Sequence, residues 1–217
     1  MQQSIIMKYW FGAIAIFIFS AKHLNAQQRI IAECTVTYAI SVDSSTDNNF
    51  IENLKSATKT VYIKGNNCRT DLVSPSFKQS IFYDKIKGSA TILREFGNNK
   101  FITKLDSAEW LKENMEFDSM TATITNETRK IIGYDCKKVI FHLKNGKTYE
   151  LYFTTTLLPS VREFEYEFKD IPGFVLSYQV QPKEGKKISY IATRMNLSPV
   201  PISRFDIPAI GYRILEK

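Results

Sequence analysis

The sequence predicts a mainly-β protein: a curved antiparallel sheet with one or two short helices plugging its concave side. Three observations carry that prediction. Runs rich in Val, Ile, Thr, Phe and Tyr recur at short, regular spacing, separated by Gly- and Asn-containing turns. Several of them alternate apolar and polar residues, the pattern of a strand buried on one face and wet on the other. The stretch 131–154, IIGYDCKKVIFHLKNGKTYELYFT, reads as a hairpin about Asn145-Gly146, with Val139, Phe141 and Leu143 on one arm sharing a face. On the other arm Tyr149, Leu151 and Phe153 do the same.

Taken in order, the chain opens with a short basic stretch, an apolar run from Tyr9 to Ala21 and Leu24-Asn25-Ala26. That is the layout of a secretory signal peptide, and the run is short of the roughly 20 residues a membrane span needs. The expected mature protein is therefore 27–217, one mainly-β domain without a stable membrane span after cleavage. Arg29 to Val42 alternates, placing Ile30, Cys34, Val36, Tyr38 and Ile40 on one face. A polar loop, 43–49, leads to a short helix over Phe50 to Ala57. Strands are then expected at 60–64, 67–73, 78–85, 89–96 and 100–105, an antiparallel meander. Asp106 with Glu109 forms a capping box for a helix over Ala108 to Glu116, whose apolar side carries Trp110, Leu111 and Met115. After strand 120–125 and the hairpin, Arg162 to Lys169 (REFEYEFK) alternates and reads as a strand. Further strands follow at 174–180 and 189–196, then a proline-rich irregular stretch, 198–208.

Charge and motifs exclude more than they assign. The formal charge is +7, but the basic residues are spread along the chain rather than clustered, so no nucleic-acid partner is expected. There is no GxSxG, no HExxH and no Gly-rich phosphate loop. His142, the one histidine left after cleavage, alternates away from the apolar face of its strand and is expected to face solvent. Glu163, Glu165 and Glu167 resemble a carboxylate set for glycoside hydrolysis, but the expected reading is the wet side of an amphipathic strand. The cysteines Cys34, Cys68 and Cys136 contain no CxxC; if any pair forms in the oxidising exterior, it is expected to be Cys68 with Cys136. No catalytic residue, metal or cofactor is expected, and the chain reads as a non-enzyme.

What stands out is one-sided apolar surface on many strands, with few helical residues to cover it. Two readings follow: a filled core that serves as an interaction module for another exported protein, or a cavity open to an apolar or lipid-like ligand. The second is preferred, with Val36, Tyr38, Ile40, Phe141 and Phe153 as its walls and Trp110, Leu111 and Met115 as its cover.

Four stretches add a resemblance: Val61-Tyr62-Ile63-Lys64-Gly65 with Arg69, Ile132-Gly133-Tyr134-Asp135-Cys136-Lys137, Ile171-Pro172-Gly173-Phe174, and Ser203-Arg204-Phe205-Asp206-Ile207-Pro208. In that order they resemble uncharacterised exported envelope proteins of Gram-negative bacteria, those grouped as domain of unknown function 4412 and the GLPGLI proteins. The GLPGLI signature stands here as Asp170-Ile171-Pro172-Gly173-Phe174-Val175. These groups look related to the LolA-like lipoprotein carriers, which implies an incomplete antiparallel β-barrel with helices in its open side, and a place in the periplasm or outer envelope. The resemblance implies no catalytic residues.

Overall fold

Strand alternation produces one large sheet in the computed structural model, which describes residues 28–43, 49–180 and 187–215. The signal-peptide segment and most of the polar loop at 43–49 lie outside these. The elements are β1 (Arg29–Ile31), β2 (Glu33–Asp43), α1 (Asn49–Lys55), β3 (Thr58–Lys64), β4 (Asn67–Val73), β5 (Phe77–Asp84), β6 (Ser89–Phe96) and β7 (Asn99–Leu105). Then come α2 (Ser107–Glu113), β8 (Thr121–Ile131), β9 (Tyr134–His142), β10 (Thr148–Thr154), β11 (Leu157–Pro159), β12 (Phe174–Val180), β13 (Lys187–Asn196) and β14 (Arg213–Ile214). Three 3-10 turns matter below: Met115–Phe117, Tyr166–Phe168 and Ile202–Phe205.

Twelve strands form a curved sheet in the order β14-β7-β6-β5-β4-β3-β2-β13-β12-β10-β9-β8. Within this sheet, among the described residues, only β14 pairs parallel to its neighbour; the other pairings are antiparallel. The edge strands β8 and β14 do not meet, so the sheet stays open rather than closing into a barrel. β8 is exposed along nearly its whole length. Its register slips between Ile124 and Thr128, and Glu127, Arg129 and Lys130 stud it, the devices by which an edge discourages further strand pairing.

The long first strand is broken. At Ala32 the chain steps out of the ladder, and β1 pairs in parallel with β11 instead. The step reverses parity: Ile31 is buried, whereas Ile30, expected on the inner face, is 69% exposed. The central hairpin forms with both predicted faces turned inward, but its turn is not the expected two-residue type. Gly146 has φ +80°, while Asn145 stays at negative φ and its side chain accepts from the Lys147 N–H at 3.0 Å. The turn with two positive φ values lies one hairpin earlier, at Ile132 (+41°) and Gly133 (+87°). A β-branched residue rarely takes that conformation, and Ile132 is held there with its side chain packed on the core.

The sheet's inner face is covered from three sides. α1 lies on β2 with Leu54 buried, and Ala57 follows it into the core. α2 has the predicted capping box but no buried residue; Leu111 is 51% and Met115 59% exposed. It caps the inner face only over the far meander, beside β6 and β7, with Trp110 against the Tyr83 ring at 5.8 Å. The principal cover is 161–171, expected to be a strand over Arg162 to Lys169. It crosses the sheet as an irregular strap, burying Val161, Phe164, Tyr166, Phe168 and Ile171. Phe164 packs on Phe168 at 5.2 Å and on Phe174 at 5.6 Å, and Phe168 meets Tyr178 edge-on at 5.0 Å.

The cysteines do not pair. Cys68 lies on β4 and Cys136 on β9, with β3, β2, β13, β12 and β10 between them. All three are free and buried, and burial pushes the thiols up, Cys34 to about 12 and Cys136 to about 11.

Where the strap returns to the sheet, Gly173 runs against β10. A Cβ there would stand 2.1 Å from the Thr154 carbonyl oxygen and 2.7 Å from Phe153 Cδ2. The nearer obstacle is backbone in a central strand pair and has nowhere to go. Gly173→Ala is expected to destabilise the protein by at least the upper end of the about 1–3 kcal/mol typical of overpacking, read by chemical denaturation; a loss below about 0.5 kcal/mol would contradict this packing.

Candidate functional site

The strap leaves one part of the inner face uncovered. Near the open ends of β9, β10 and β12 lies a cavity of about 300 Å³. Strand register builds its floor: Tyr149 sits opposite Phe141 and Leu151 opposite Tyr178. Phe168 of the strap and Phe117 of the 3-10 turn after α2 form the apolar walls, with Phe117 6.4 Å from the Tyr149 ring. Glu116, Lys147, Glu167 and Gln179 are its polar lining.

The turn carrying Phe117 is anchored to the strap. Lys169 Nζ donates to Asp118 Oδ1 at 2.6 Å and the Tyr166 hydroxyl donates to the same oxygen. These hydrogen bonds hold the Asp118 carboxyl below its ordinary value. Cavity wall and strap are thus tied by charge-assisted hydrogen bonds.

Below the cavity lies a polar cluster that sequence reading missed. Lys59 occupies the inner face of β3, in step with Val61 and Ile63, and is only 6% exposed. Its ammonium donates to Glu165 of the strap and to the Tyr178 hydroxyl. It also stands 5.1 Å from the centroids of both Tyr178 and Tyr190, which stack on each other at 4.6 Å. Burial pushes both phenols up. Such a lysine is stable inside because ion pair, hydroxyl and ring faces together replace its water.

The acidic run is therefore not the wet side of a strand. Glu163, Glu165 and Glu167 are all at least half withdrawn from solvent. Glu165 meets Lys59. Glu163 Oε2 is buried without a hydrogen-bond partner among the described residues. Glu167 reaches the cavity, where burial, and then the neighbouring charge of Glu165, raise its carboxyl to about 8. Gln179 Oε1, also on the cavity, is buried and unpartnered among the described residues.

Of the expected ligand-binding residues, only Phe141 lines this cavity. Val36, Tyr38, Ile40 and Phe153 belong to the closed core, where Tyr38 donates from its hydroxyl to the Val175 carbonyl at 2.8 Å. Trp110, Leu111 and Met115 stand outside it, because α2 caps the far meander; the covering role at the cavity falls to Phe117. His142 is exposed at the end of β9. Among the described residues no three His, Cys, Asp or Glu side chains converge as for a metal ion, and no helix is long and apolar enough to cross a membrane.

No family model matches the chain, and no curated protein does. Among solved structures it is similar to an uncharacterized conserved protein from Thermus thermophilus, with TM-score 0.51 and 9% identity over 86% of this chain and 91% of that one. It is also similar to PNGF-II, with TM-score 0.47 and 16% identity over 85% of this chain, which spans 31% of the length of that one. A LolA superfamily protein from Nitrosomonas europaea gives TM-score 0.36 and 11% identity, over 83% of this chain and 92% of that one. The first likeness is one of fold alone, and the other two are looser still. The open sheet itself defines the class: a mainly-β protein built on a large curved sheet that does not close.

The raised Glu167 carboxyl has a consequence for stability. A carboxyl that ionises near 8 when folded, but near 4.5 when unfolded, binds more protons in the folded state between those values. Its contribution is complete below about pH 4.5 and is lost as pH rises through about 8. Glu167→Gln is expected to remove this loss, so that it gains on wild type as pH climbs from 5 to 9 in a thermal-denaturation series. Parallel pH profiles for the two proteins would contradict the assignment.

Proposed function

We propose that this is a non-enzymatic binding protein of the cell envelope, and that its cavity holds the apolar part of a lipid-like ligand. One observation carries the reading: a pocket walled by Phe117, Phe141, Tyr149, Leu151, Phe168 and Tyr178, with Glu116, Lys147, Glu167 and Gln179 as its polar lining. A mostly apolar wall with a few polar groups is what an amphiphile requires, and about 300 Å³ lies at the small end of ligand sites. A single chain fits this volume better than a multi-chain lipid.

Export rests on the signal-peptide pattern of 1–26, and membership of the domain of unknown function 4412 or GLPGLI groups rests on the four quoted motifs. The raised Glu167 carboxyl would also suit a general acid, but Glu165, its neighbouring carboxylate, is engaged by Lys59. No side chain in the cavity is set as a nucleophile beside a base. Binding is the simpler use of the site.

Val180 stands at the end of β12, only partly buried at the margin of the core, where a larger side chain would reach into the cavity. A dansyl-labelled fatty acid is expected to bind wild type saturably. Val180→Trp should weaken it by about tenfold or more while leaving the thermal midpoint unchanged. Absence of saturable binding to wild type would overturn the proposal.

A further inference from the structure

Two of the quoted motifs, Tyr62 with Arg69 and the run from Ser203 to Pro208, take no part in the cavity, yet they meet on the opposite face of the sheet. There the register sets Tyr62 beside Thr35 and Thr35 beside Asn196, with Thr37 beside Arg194 in the next row. Beyond Asn196 the chain folds back over these rows. Asn196 Oδ1 accepts from the Ser198 N–H at 3.0 Å, and the buried Val200 donates its N–H to Glu33 Oε2 at 2.7 Å. Arg204, on the 3-10 turn that follows, lays its guanidinium 5.3 Å from the Tyr62 ring. Its carbonyl accepts from Arg69 Nη1 at 2.6 Å, and Arg69 in turn is held by Asp71 at 2.7 Å.

The result is a groove of about 290 Å³ walled by Thr35, Thr37, Tyr62, Arg194, Asn196 and Arg204. Among the described residues no carboxylate lines it. Two acids bonded to its surroundings are already engaged, Glu33 by Lys64 and the Val200 N–H, and Asp71 by Arg69. Among the described residues neither Arg194 nor Arg204 has a carboxylate partner. Two uncompensated guanidinium groups therefore share one concave site with a wall of hydroxyl and amide groups. A guanidinium fork matches the paired oxygens of a phosphate or sulfate ester, and hydroxyl and amide side chains match the hydroxyls of a sugar. A bare oxyanion would leave the Thr35, Thr37 and Asn196 wall unused.

We propose that this outer groove is a second binding site, separate from the cavity, for a phosphorylated or sulfated sugar or polyol. The ester group lies between Arg194 and Arg204, and the hydroxyls meet Thr35, Thr37 and Asn196. The same chemistry is offered by a soluble sugar phosphate and by the headgroup of a phosphorylated glycolipid.

Calorimetric titration of the full protein with glucose 6-phosphate, glucose and inorganic phosphate tests the assignment, with flotation on vesicles carrying phosphatidylinositol phosphate or phosphatidylcholine alone. Glucose 6-phosphate is expected to bind saturably and more tightly than either fragment, and added salt should weaken it. Arg194→Gln and Arg204→Gln should each lower that affinity by about tenfold, with far-UV circular dichroism unchanged. Flotation with the phosphoinositide vesicles alone, competed by glucose 6-phosphate, would support the site and make its ligand lipid-borne. Equal binding of inorganic phosphate would overturn the polyol assignment. No saturable binding of any phosphate species, or affinity unchanged in folded Arg194→Gln, would overturn the site itself.

Discussion

A sheet of twelve strands with one apolar face cannot stand alone in water, and the way this chain covers that face decides the rest of its structure. The cover is the strap at 161–171, which has no regular hydrogen-bond ladder to hold it. Its hold is side-chain chemistry: five buried apolar or aromatic residues and the contact of Glu165 with Lys59. Hydrophobic burial is non-directional and would accept several placements of such a segment. The Lys59–Glu165–Tyr178 contact does not, because a displaced strap would leave an ammonium in the core without a partner. This pairing makes the strap's position specific.

The cavity is the complement of that placement. The strap is short, and where Phe168 ends its crossing the inner faces of β9, β10 and β12 continue beyond it. Phe117 closes part of the gap, held in place through Asp118, Lys169 and Tyr166, so wall and cover are one connected assembly. Because Glu167 immediately follows the pinned aromatic Tyr166, its carboxyl is drawn to the cavity whether or not ionisation favours it. Its raised proton affinity is a result of that geometry rather than of any catalytic partner.

Much of this was legible in the sequence. Alternation and turn residues located β4, β6 and β12 to the residue, and Asp106 with Glu109 marked the start of α2. Periodicity could not place α2 against a particular surface, because Leu111 and Met115 have helical spacing whether or not a partner exists. The segment REFEYEFK misled for a definable reason. Period-two alternation of aromatic and acidic residues is shared by an amphipathic strand and by an irregular strap whose rings point inward while Glu165 pairs with Lys59. A clue was present at Lys59, which falls on the same parity as Val61 and Ile63 and so requires a buried counter-charge. The expected pairing of Cys68 with Cys136 failed because sequence spacing is silent on strand order.

The account rests on the buried pair between β3 and the strap, and a double-mutant cycle measures it directly. Lys59→Met, Glu165→Gln and the combined variant would be compared by chemical denaturation, each also titrated with the dansyl-labelled fatty acid. Each single change is expected to cost about 3–5 kcal/mol and to weaken the probe. The combined variant should cost less than the sum by at least about 1 kcal/mol. Single changes within about 0.5 kcal/mol of wild type, or strictly additive losses, would contradict the claim that this contact sets the strap and, through it, the cavity.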